Sequence, residues 1–380
     1  MKVLMIPSWY PTEEDPLLGT FYKEQAEACA ARGMEVAVCY VNVSGSFNPR
    51  HHGIRKTVEN GVTTYIYTHP NYTPRLERGR CFQRTRMLER LYRRLEREWG
   101  RPDVVNLRSS LQGYEAVSLC KKHGLPLFFM EHSSYVVTEG EGSAARIRLH
   151  AVMEQAAVNA CVGSTLNAVL HPIDPETRII PDFVDGAFFR IMDVPPHEGF
   201  LFRAMGQLRP IKGHDVLIRA FAEACRRCDT PMRLEIAGTG ALRESLQALI
   251  DSEGVADRCT LVGRVPRTEV PAFMNGCDVF MCSSNNEMLS CVLMECAACG
   301  RPAIATARGG PQDILTEETG MLVPVGDVQS MAEAMVAMTE KATSYDRNRI
   351  REVILEKFGI EAVCRQLAEA CADAAGEARV

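Results

Sequence analysis

Two basic residues in the second half of the chain have a spacing suited to binding phosphate. Arg209 and Lys212 stand three residues apart, between the predicted strand Phe200 to Met205 and the next helix pattern. Gly206 follows that strand directly and would allow a tight turn. A guanidinium can hold two phosphate oxygens at once, and an ammonium adds a compact second charge. On these residues alone, a diphosphate site and an ordinary solvated loop are both open.

Two carboxylates follow the apolar run Val279 to Cys282. Glu287 lies in the loop after that run, and Glu295 lies on the helix that comes next. Backbone amides at the start of this helix would suit a phosphate, and Glu287 would face a ligand in the loop. Glu295 lies near the edge of an otherwise apolar helix, where a carboxylate needs a partner such as ligand hydroxyls. A pair of solvated glutamates is the alternative.

Glycines follow two further strands of the same half. Gly309 and Gly310 come after one strand, and Gly238 and Gly240 come after another, so a ligand could approach the backbone there. The second pair begins a dinucleotide fingerprint, but the third glycine is missing and no first βαβ unit frames the motif. A dehydrogenase is therefore disfavoured.

The 15 cysteines indicate buried thiols in a reducing cytoplasm. Their number is odd and most lie inside apolar runs, which disfavours a disulfide framework. Two Cys-x-x-Cys pairs fall in helix patterns, where the spacing simply places two small residues on one face, so we expect no metal. We assign no chemistry to three histidines: His51, His52 and His214.

The elements that must position these residues alternate along the chain. Strand and helix patterns alternate in the first half, which predicts a mostly parallel sheet covered on both faces. Asn60-Gly61 lies between two apolar runs and predicts one hairpin. In the second half, six short strands separated by helix patterns predict a doubly wound sheet, whose ligands bind at the carboxyl ends of the strands. Residues 186–199 interrupt this rhythm and contain Pro195-Pro196, which indicates a linker.

Length and composition fit two folded domains. The chain has 380 residues, 46% of them hydrophobic and 24% charged, which excludes a disordered or fibrous protein. The N-terminal apolar stretch is short and is broken by Pro7, so we predict a buried first strand and no signal peptide. No apolar run is long enough to span a membrane. We expect a cytoplasmic protein.

One segment is strongly basic within a chain of net charge −5. Arg75 to Arg101 holds ten arginines and four glutamates, with apolar residues at helical spacing between them. This pattern suits docking on an anionic membrane surface, such as the inner face of a cell membrane. It equally suits a helix that packs its apolar stripe on the first sheet. Because the basic block is local and no stripe of interleaved aromatics accompanies it, we expect no nucleic-acid binding.

Several of these motifs together resemble glycosyltransferase family 4, which comprises retaining, GT-B-type enzymes that use nucleotide sugars. The resemblance covers nearly the whole chain and is most specific in residues 200–325. It implies an α/β fold of two doubly wound Rossmann-like domains facing across a cleft. The implied acceptor-side domain is 1–190, the implied nucleotide-sugar domain is 191–360, and a C-terminal helix at about 361–380 packs back on the first. The motifs are Pro7-Ser8-Trp9-Tyr10-Pro11 with Gly19 and Phe21, Glu131-His132-Ser133, Gly206 to Ala222, the Glu287/Glu295 pair, Cys299-Gly300-Arg301-Pro302 and Gly309-Gly310-Pro311.

The resemblance also implies roles for single residues. Arg209 and Lys212 would hold the donor diphosphate, Glu287 the hydroxyls of the transferred sugar, and Glu295 the nucleotide ribose. Gly206 would allow close approach of the donor. The remaining implied donor contacts are Gly19 at the phosphates, His132 at the sugar near the reacting carbon, Arg264 and Val265 against the base, and the amides of Met288, Leu289 and Ser290 at the phosphates.

The implied activity is transfer of a hexose-type sugar to a carbohydrate or lipid-linked acceptor, without a metal or other cofactor. We expect a UDP-sugar in preference to a GDP-sugar, and a role in cell-surface polysaccharide or glycolipid assembly. An epimerase or phosphorylase of GT-B type and a non-catalytic carbohydrate-binding subunit are the alternatives. The chain departs from the family's usual motifs at Asn106-Leu107-Arg108-Ser109 and at Pro181-Asp182-Phe183-Val184-Asp185. The first departure could alter the acceptor side.

Overall fold

The structure of the chain, a computed structural model, describes residues 1–16, 18–44, 52–71 and 77–377. His51, residues 75 and 76 of the arginine-rich segment and residues 378–380 of the expected C-terminal helix lie outside this part. The chain divides into two compact units. The first unit comprises Met1–Asp182 and the chain from Val363 onward, and the second unit comprises Phe183–Ala362.

The first unit is built on an eight-stranded sheet. The strand order is β3-β4-β2-β1-β5-β6-β7-β8, and every neighbouring pair is parallel except β3 with β4, which form the hairpin predicted at Asn60-Gly61. The strands are β1 (Lys2–Pro7), β2 (Glu35–Ser44), β3 (Gly53–Glu59), β4 (Val62–Pro70), β5 (Val104–Arg108), β6 (Leu127–Glu131), β7 (Val158–Cys161) and β8 (Arg178–Ile179).

Helices between these strands cover the sheet. Gly124, with φ 59°, ends α3 in the left-handed conformation that glycine adopts at low cost. The helices are α1 (Thr20–Ala30), α2 (Glu77–Glu98), α3 (Gly113–His123), α4 (Tyr135–Thr138), α5 (Ala144–Met153), α6 (Ser164–Leu170) and, from the C-terminal end of the chain, α14 (Ile360–Glu377).

The second unit has a six-stranded sheet in which all neighbouring strands are parallel. Its order is β11-β10-β9-β12-β13-β14, so the chain winds outward from β9 in both directions. The strands are β9 (Phe200–Met205), β10 (Met232–Ala237), β11 (Cys259–Gly263), β12 (Val279–Cys282), β13 (Ala303–Thr306) and β14 (Gly320–Val323). The helices are α7 (His214–Arg227), α8 (Arg243–Ser252), α9 (Val270–Asn275), α10 (Cys291–Ala298), α11 (Pro311–Ile314), α12 (Val328–Lys341) and α13 (Arg347–Phe358). The predicted class, two parallel-sheet α/β domains, is confirmed.

The division between the units falls at Asp182, earlier than the expected boundary at residue 190. The residues after Asp182 are held by α13 of the second unit. Arg351 donates to the carbonyl oxygens of Gly186 and Phe189, both at 2.6 Å. Val184 also pairs with Gly359 through a parallel bridge. These hydrogen bonds tie the predicted linker to the second unit before the first strand of its sheet.

The C-terminal helix contacts the first unit. Cys364 on α14 lies with its Sγ 3.6 Å from Cys29 Sγ on α1, and both thiols are buried. Further along α14, Asp373 accepts a hydrogen bond from Arg178 at 2.8 Å. The buried contact with Cys29 and the surface ion pair with Arg178 together place α14 in the helical layer that covers the first sheet.

The arginine-rich segment forms α2, and its apolar stripe is not available to a membrane. The stripe packs toward β2, β4 and α3. Met87, Leu88, Leu91, Tyr92 and Leu95 are all at most 3% exposed. Of the two interpretations of this segment, core packing therefore accounts for the stripe, and a membrane contact would have to use its outer arginines. Within the described residues, no helix has the length and apolar character needed to cross a bilayer.

Candidate active site

The loops after β9 and β12 meet at the carboxyl edge of the second sheet because these two strands are neighbours. Gly206 follows β9, and Arg209 caps a single 3-10 turn at Pro210–Lys212. Gly213 then adopts φ 60° and opens α7. The Arg209 side chain is exposed, and no ion pair to it is formed within the described parts of the chain.

Lys212 and Glu287 come together at this edge. Lys212 Nζ donates to Glu287 Oε1 at 2.5 Å, and Ser284 Oγ donates to the same oxygen at 2.8 Å. The Glu287 side chain is 14% exposed and that of Lys212 27% exposed. The site thus holds a half-buried ammonium against a carboxylate, and exposed Arg209 caps the turn that carries the ammonium.

Backbone contacts fix the two loops relative to each other. The amide of Asn285 donates to the carbonyl oxygen of Ile211 at 2.8 Å, and Ser283 Oγ donates to that of Lys212 at 2.9 Å. A Cβ at Gly213 would lie 2.2 Å from the carbonyl oxygen of Ser283, so only glycine fits this crossing. The position of Lys212 therefore depends on a glycine one residue away.

The third predicted loop joins from β13. Gly310 donates its amide to the Glu287 carbonyl oxygen at 2.8 Å, and Glu287 pairs with Gly309 in an isolated bridge. A Cβ at Gly310 would lie 2.5 Å from Leu289 Cα. Gly309 and Gly310 therefore let the loops after β12 and β13 approach each other, and the approach of a ligand to these glycines stays a prediction.

The amides predicted to hold phosphates lie just ahead of α10. Met288 is half-buried, Leu289 and Ser290 are buried, and Ser290 is the N-cap residue of this helix. The partial positive charge of a helix start favours an anion there. Phosphate binding by these amides stays a prediction.

Glu295 has a protein partner that no sequence pattern indicates. Arg267, which follows β11, donates to Glu295 Oε1 at 2.5 Å, and its guanidinium lies 4.8 Å from the Phe189 ring centroid. In the same loop, Arg264 is exposed and Val265 is half-buried. The ribose role of Glu295 and the base contacts of Arg264 and Val265 stay predictions.

His214, for which the sequence predicts no chemistry, is buried directly behind the site. A Cβ at Gly206 would lie 3.7 Å from His214 Nε2, so the ring packs under the turn after β9. Burial, reinforced by the neighbouring Lys212 ammonium, lowers the pKa of the His214 imidazole to about 4. The ring is therefore neutral at pH 7 and adds no charge to the two cations.

The remaining predicted site residues, Gly19 and His132, lie in the first unit. Gly19 has φ 66° and caps α1, and a Cβ there would lie 2.5 Å from the Trp9 carbonyl oxygen. His132 Nδ1 lies 3.2 Å from the Met130 carbonyl oxygen, and Nε2 lies 3.5 Å from Asp182 Oδ1. The His132 side chain is 4% exposed. Its contact with a donor sugar stays a prediction.

A buried polar cluster surrounds His132 at the carboxyl ends of β5 and β6. The Glu131 carboxylate accepts from the amides of Ser110, His132 and Ser133 at 2.8–3.0 Å. Arg108 is 1% exposed and donates to Asn106 Oδ1 at 2.5 Å, and burial lowers the pKa of its guanidinium. This cluster contains the Asn106 to Ser109 departure from the family pattern.

Three residues of these sites are not predictable from the sequence as functional: Ser284, Asp182 and Arg267. Ser284 is a small polar residue in a loop, with no spacing signal. Arg267 lies 28 residues from its partner, so no local pattern connects them. Asp182 belongs to a departure from the family motif, which is the one available signal that it does something particular in this chain.

Two family descriptions match the chain, each over one of the halves. Glycosyltransferase Family 4 matches residues 18–187, and Glycosyl transferases group 1 matches residues 192–353. The fold and these matches define a glycosyltransferase of GT-B type. The chain belongs to glycosyltransferase family 4.

Sequence relatives carry several activities. Glycogen synthase of Mycobacterium tuberculosis is 25% identical over 91% of this chain and 88% of its own length. A Streptomyces fradiae 2-deoxystreptamine N-acetyl-D-glucosaminyltransferase is 26% identical over 72% of this chain and 71% of its own length. An Arabidopsis thaliana phosphatidylinositol N-acetylglucosaminyltransferase component is 26% identical over 61% of this chain, and the match spans only 52% of that protein. A Mycolicibacterium smegmatis GDP-mannose-dependent mannosyltransferase is 36% identical over 34% of this chain and 36% of its own length.

Solved structures agree on the fold. Sucrose-phosphate synthase from Thermosynechococcus elongatus matches with a TM-score of 0.75 at 20% identity, over 97% of this chain and 98% of its own. HepE from Anabaena, solved in complex with UDP, matches with a TM-score of 0.74 at 16% identity, over 98% of this chain and 100% of its own. At these identities the likeness concerns the fold alone.

Proposed function

We propose that this protein transfers a hexose-type sugar, with retention, from a nucleotide-diphosphate sugar to an acceptor hydroxyl. The observation that carries the proposal is the Lys212–Glu287 pair at the carboxyl edge of the second sheet, in the turn that exposed Arg209 caps. Two basic side chains can bind the oxygens of a diphosphate, and a carboxylate can accept hydrogen bonds from sugar hydroxyls. Cell-surface polysaccharide or glycolipid assembly, with a carbohydrate or lipid-linked acceptor, is the setting we propose.

The leaving group is stabilised by side chains in this proposal, and no metal is required. As the bond from the sugar carbon to the phosphate oxygen breaks, Arg209 and Lys212 neutralise the charge that develops on the diphosphate. The acceptor oxygen forms its bond to the same carbon on the same face. Its proton passes to the departing phosphate oxygen, so atoms and charge balance without a covalent enzyme intermediate.

The donor binds by exchange of partners in this site. Lys212 is already held by Glu287, so an arriving diphosphate takes over the ammonium and leaves the carboxylate to the sugar hydroxyls. Glu295 in the same way exchanges Arg267 for the ribose. Each exchange replaces one charge-assisted hydrogen bond with another, which limits its net cost.

A UDP-sugar is the donor we propose. The support is the structurally similar HepE, which was solved in complex with UDP, although the mycobacterial relative is described as GDP-mannose-dependent. Thermal unfolding with UDP, GDP and ADP tests this directly, because a ligand at 100 times its Kd stabilises the folded state by about 2.7 kcal/mol. UDP should raise Tm by several degrees and the others by less. A larger shift with GDP would overturn the base assignment alone.

Incubation with a radiolabelled nucleotide sugar and candidate acceptors tests the reaction itself. Transfer places the label on the acceptor and releases the nucleoside diphosphate. Label that stays in an isomerised nucleotide sugar would instead indicate an epimerase. Absence of binding by all three nucleotides would refute the proposed function altogether.

Peripheral contact with the inner membrane face, through the outer side of α2, is part of the proposal. Arg86, Arg90, Arg93 and Arg97 are exposed along this helix. Each basic residue near an anionic surface contributes about 1 kcal/mol. Co-sedimentation with phosphatidylglycerol vesicles at low salt should retain the protein, and neutral vesicles should not. A variant with these four arginines changed to glutamine should stay in the supernatant, and equal sedimentation of both would refute the contact.

A further inference from the structure

A cavity of about 820 Å³ lies within the first unit and is not used by the donor site. Side chains from α2, α3 and α5 form its walls, and Ser8 and Trp9, directly after β1, line one side. The Trp9 carbonyl oxygen packs against Gly19, so the cavity adjoins the loop that the family pattern marks as functional. Its size suits a small organic ligand.

Guanidinium groups dominate the charge of this cavity. Arg80 and Arg84 stand four residues apart on α2, so they share one helix face, and Arg148 faces them from α5. The buried Arg84 Nε has no hydrogen-bond partner among the described residues, which leaves a donor available. The Arg148 guanidinium lies 5.6 Å from the Tyr114 ring centroid.

A single carboxyl group, that of Glu115, lies among the lining side chains that the structure describes. It is 4% exposed, and burial raises its pKa, so it opposes a bound anion less than a solvated glutamate would. Three guanidinium groups against one such carboxyl favour an anionic ligand. Arginine is the side chain best matched to a phosphate, since its planar fork donates two hydrogen bonds at once.

The rest of the rim is apolar and exposed. Phe82, Tyr114 and Ile147 come from three different helices, and all line this one cavity. They are 63%, 40% and 56% exposed. Large exposed apolar side chains around a cavity indicate a surface that binds the apolar part of a ligand. A ligand that satisfies both features is anionic at one end and hydrocarbon at the other.

We infer that this cavity binds a phosphorylated amphiphile, the anchor part of the acceptor in the proposed transferase function. The phosphate lies against Arg80, Arg84 and Arg148, and the hydrocarbon chain leaves over Phe82, Tyr114 and Ile147. The ligand's role as an acceptor rests on the proposed function. Its binding to the cavity does not depend on the nucleotide-sugar donor.

Tryptophan fluorescence gives a direct readout. The chain has two tryptophans, Trp9 and Trp99, and Trp9 lines the cavity. In a Trp99→Phe background, Trp9 is the sole reporter. Citronellyl phosphate, a soluble ten-carbon isoprenoid phosphate, is titrated without nucleotide and compared with citronellol, glucose 1-phosphate and inorganic phosphate. We expect citronellyl phosphate to bind at least about tenfold more tightly than each of the others, since it alone offers both features.

Variants then separate the phosphate contact from the apolar contact. Arg84→Gln should weaken citronellyl phosphate at least about tenfold and leave citronellol unchanged, whereas Arg84→Lys should retain part of the affinity. Phe82→Ser, at an exposed position that does not threaten folding, should weaken both. Arg94→Gln, on the same helix but outside both the cavity and the proposed membrane surface, is the matched control and should change neither.

Several outcomes would overturn the inference. Equal binding of citronellyl phosphate and citronellol would make the cavity a plain apolar pocket. Equal binding of glucose 1-phosphate or inorganic phosphate would make it a site for free phosphate groups without a lipid. Unchanged binding by Arg84→Gln would remove the guanidinium from the role. Loss of nucleotide binding with citronellyl phosphate binding intact would refute the donor site instead, so the two failures are distinguishable.

Discussion

Lys212 Nζ and Glu287 Oε1 lie 2.5 Å apart, although the residues are separated by 75 positions in the chain. The ammonium predicted to hold a diphosphate and the carboxylate predicted to hold a sugar are therefore paired with each other. This pairing keeps the carboxylate hydrogen-bonded while it is 14% exposed, and it sets both groups at the edge where the loops after β9 and β12 meet.

Removal of Arg209 and removal of Lys212 should have the same effect on turnover and different effects on stability. We expect Arg209→Ala and Lys212→Ala each to lower kcat roughly 10²–10³-fold, as for other lost transition-state donors. Arg209 is exposed, so its variant should unfold like the parent protein. Lys212→Ala leaves Glu287 without its ammonium and should cost about 1–3 kcal/mol. Transfer assays measure kcat, and urea unfolding measures the free energy of unfolding. Arg219→Ala, at an exposed position on α7, is the control. A near-normal kcat for either site variant would show that the substituted residue does not stabilise the leaving diphosphate.

Substitution of Glu287 should separate sugar transfer from nucleotide binding. Glu287→Ala should abolish detectable transfer while UDP affinity changes by less than about threefold, because the carboxylate contacts the sugar in our proposal. Glu287→Gln keeps a hydrogen-bond acceptor for Ser284 and should fold more stably than the alanine variant. Calorimetric titration with UDP decides the matter, and a large loss of UDP affinity in Glu287→Ala would contradict this separation.

Two glycines with similar backbone conformations offer a matched comparison. Gly213 has φ +60° and Gly254 has φ +72°. A Cβ added at Gly213 would lie 2.2 Å from the Ser283 carbonyl oxygen, whereas a Cβ added at Gly254 would have no atom within 4 Å. Gly254→Ala should cost about 1 kcal/mol for the left-handed conformation. Gly213→Ala should cost about 1–3 kcal/mol more and raise the KM for the donor, since the loop carrying Lys212 must shift. Equal unfolding free energies would refute the steric argument.

Stability should fall as the pH falls from about 6.5 to about 4, in part because of His214. The folded chain keeps this imidazole neutral down to its pKa of about 4, whereas the unfolded chain takes up the proton near pH 6.5. The unfolded state therefore binds more protons in this range, and the difference reaches about 3 kcal/mol at the lower end. The free energy of unfolding in urea should differ less between pH 7 and pH 5 for His214→Gln than for the parent protein. Equal differences for the two proteins would exclude His214 as a cause of the pH dependence.

The order of apolar and polar residues is enough to predict the two α/β domains, most strand positions and the loops that carry polar residues. The strand Val279–Cys282 begins and ends where its apolar run does, because burial on both faces of a parallel sheet favours unbroken apolar sequence. The Asn60-Gly61 hairpin is equally predictable, since its turn needs the positive φ that both residues adopt.

Which side chains meet depends on the folded arrangement of the strands and helices. Lys212 reaches Glu287 because β9 and β12 are neighbours, and Arg267 reaches Glu295 because the loop after β11 lies beside α10. Apolar periodicity records that a strand is buried and carries no information on the strand beside it. The same limit hides the cavity of Arg80, Arg84 and Arg148 from the sequence, since three separate helices must pack together to enclose it. Strand order and helix packing are collective properties of the whole sheet, so they and the pairings that depend on them emerge only on folding.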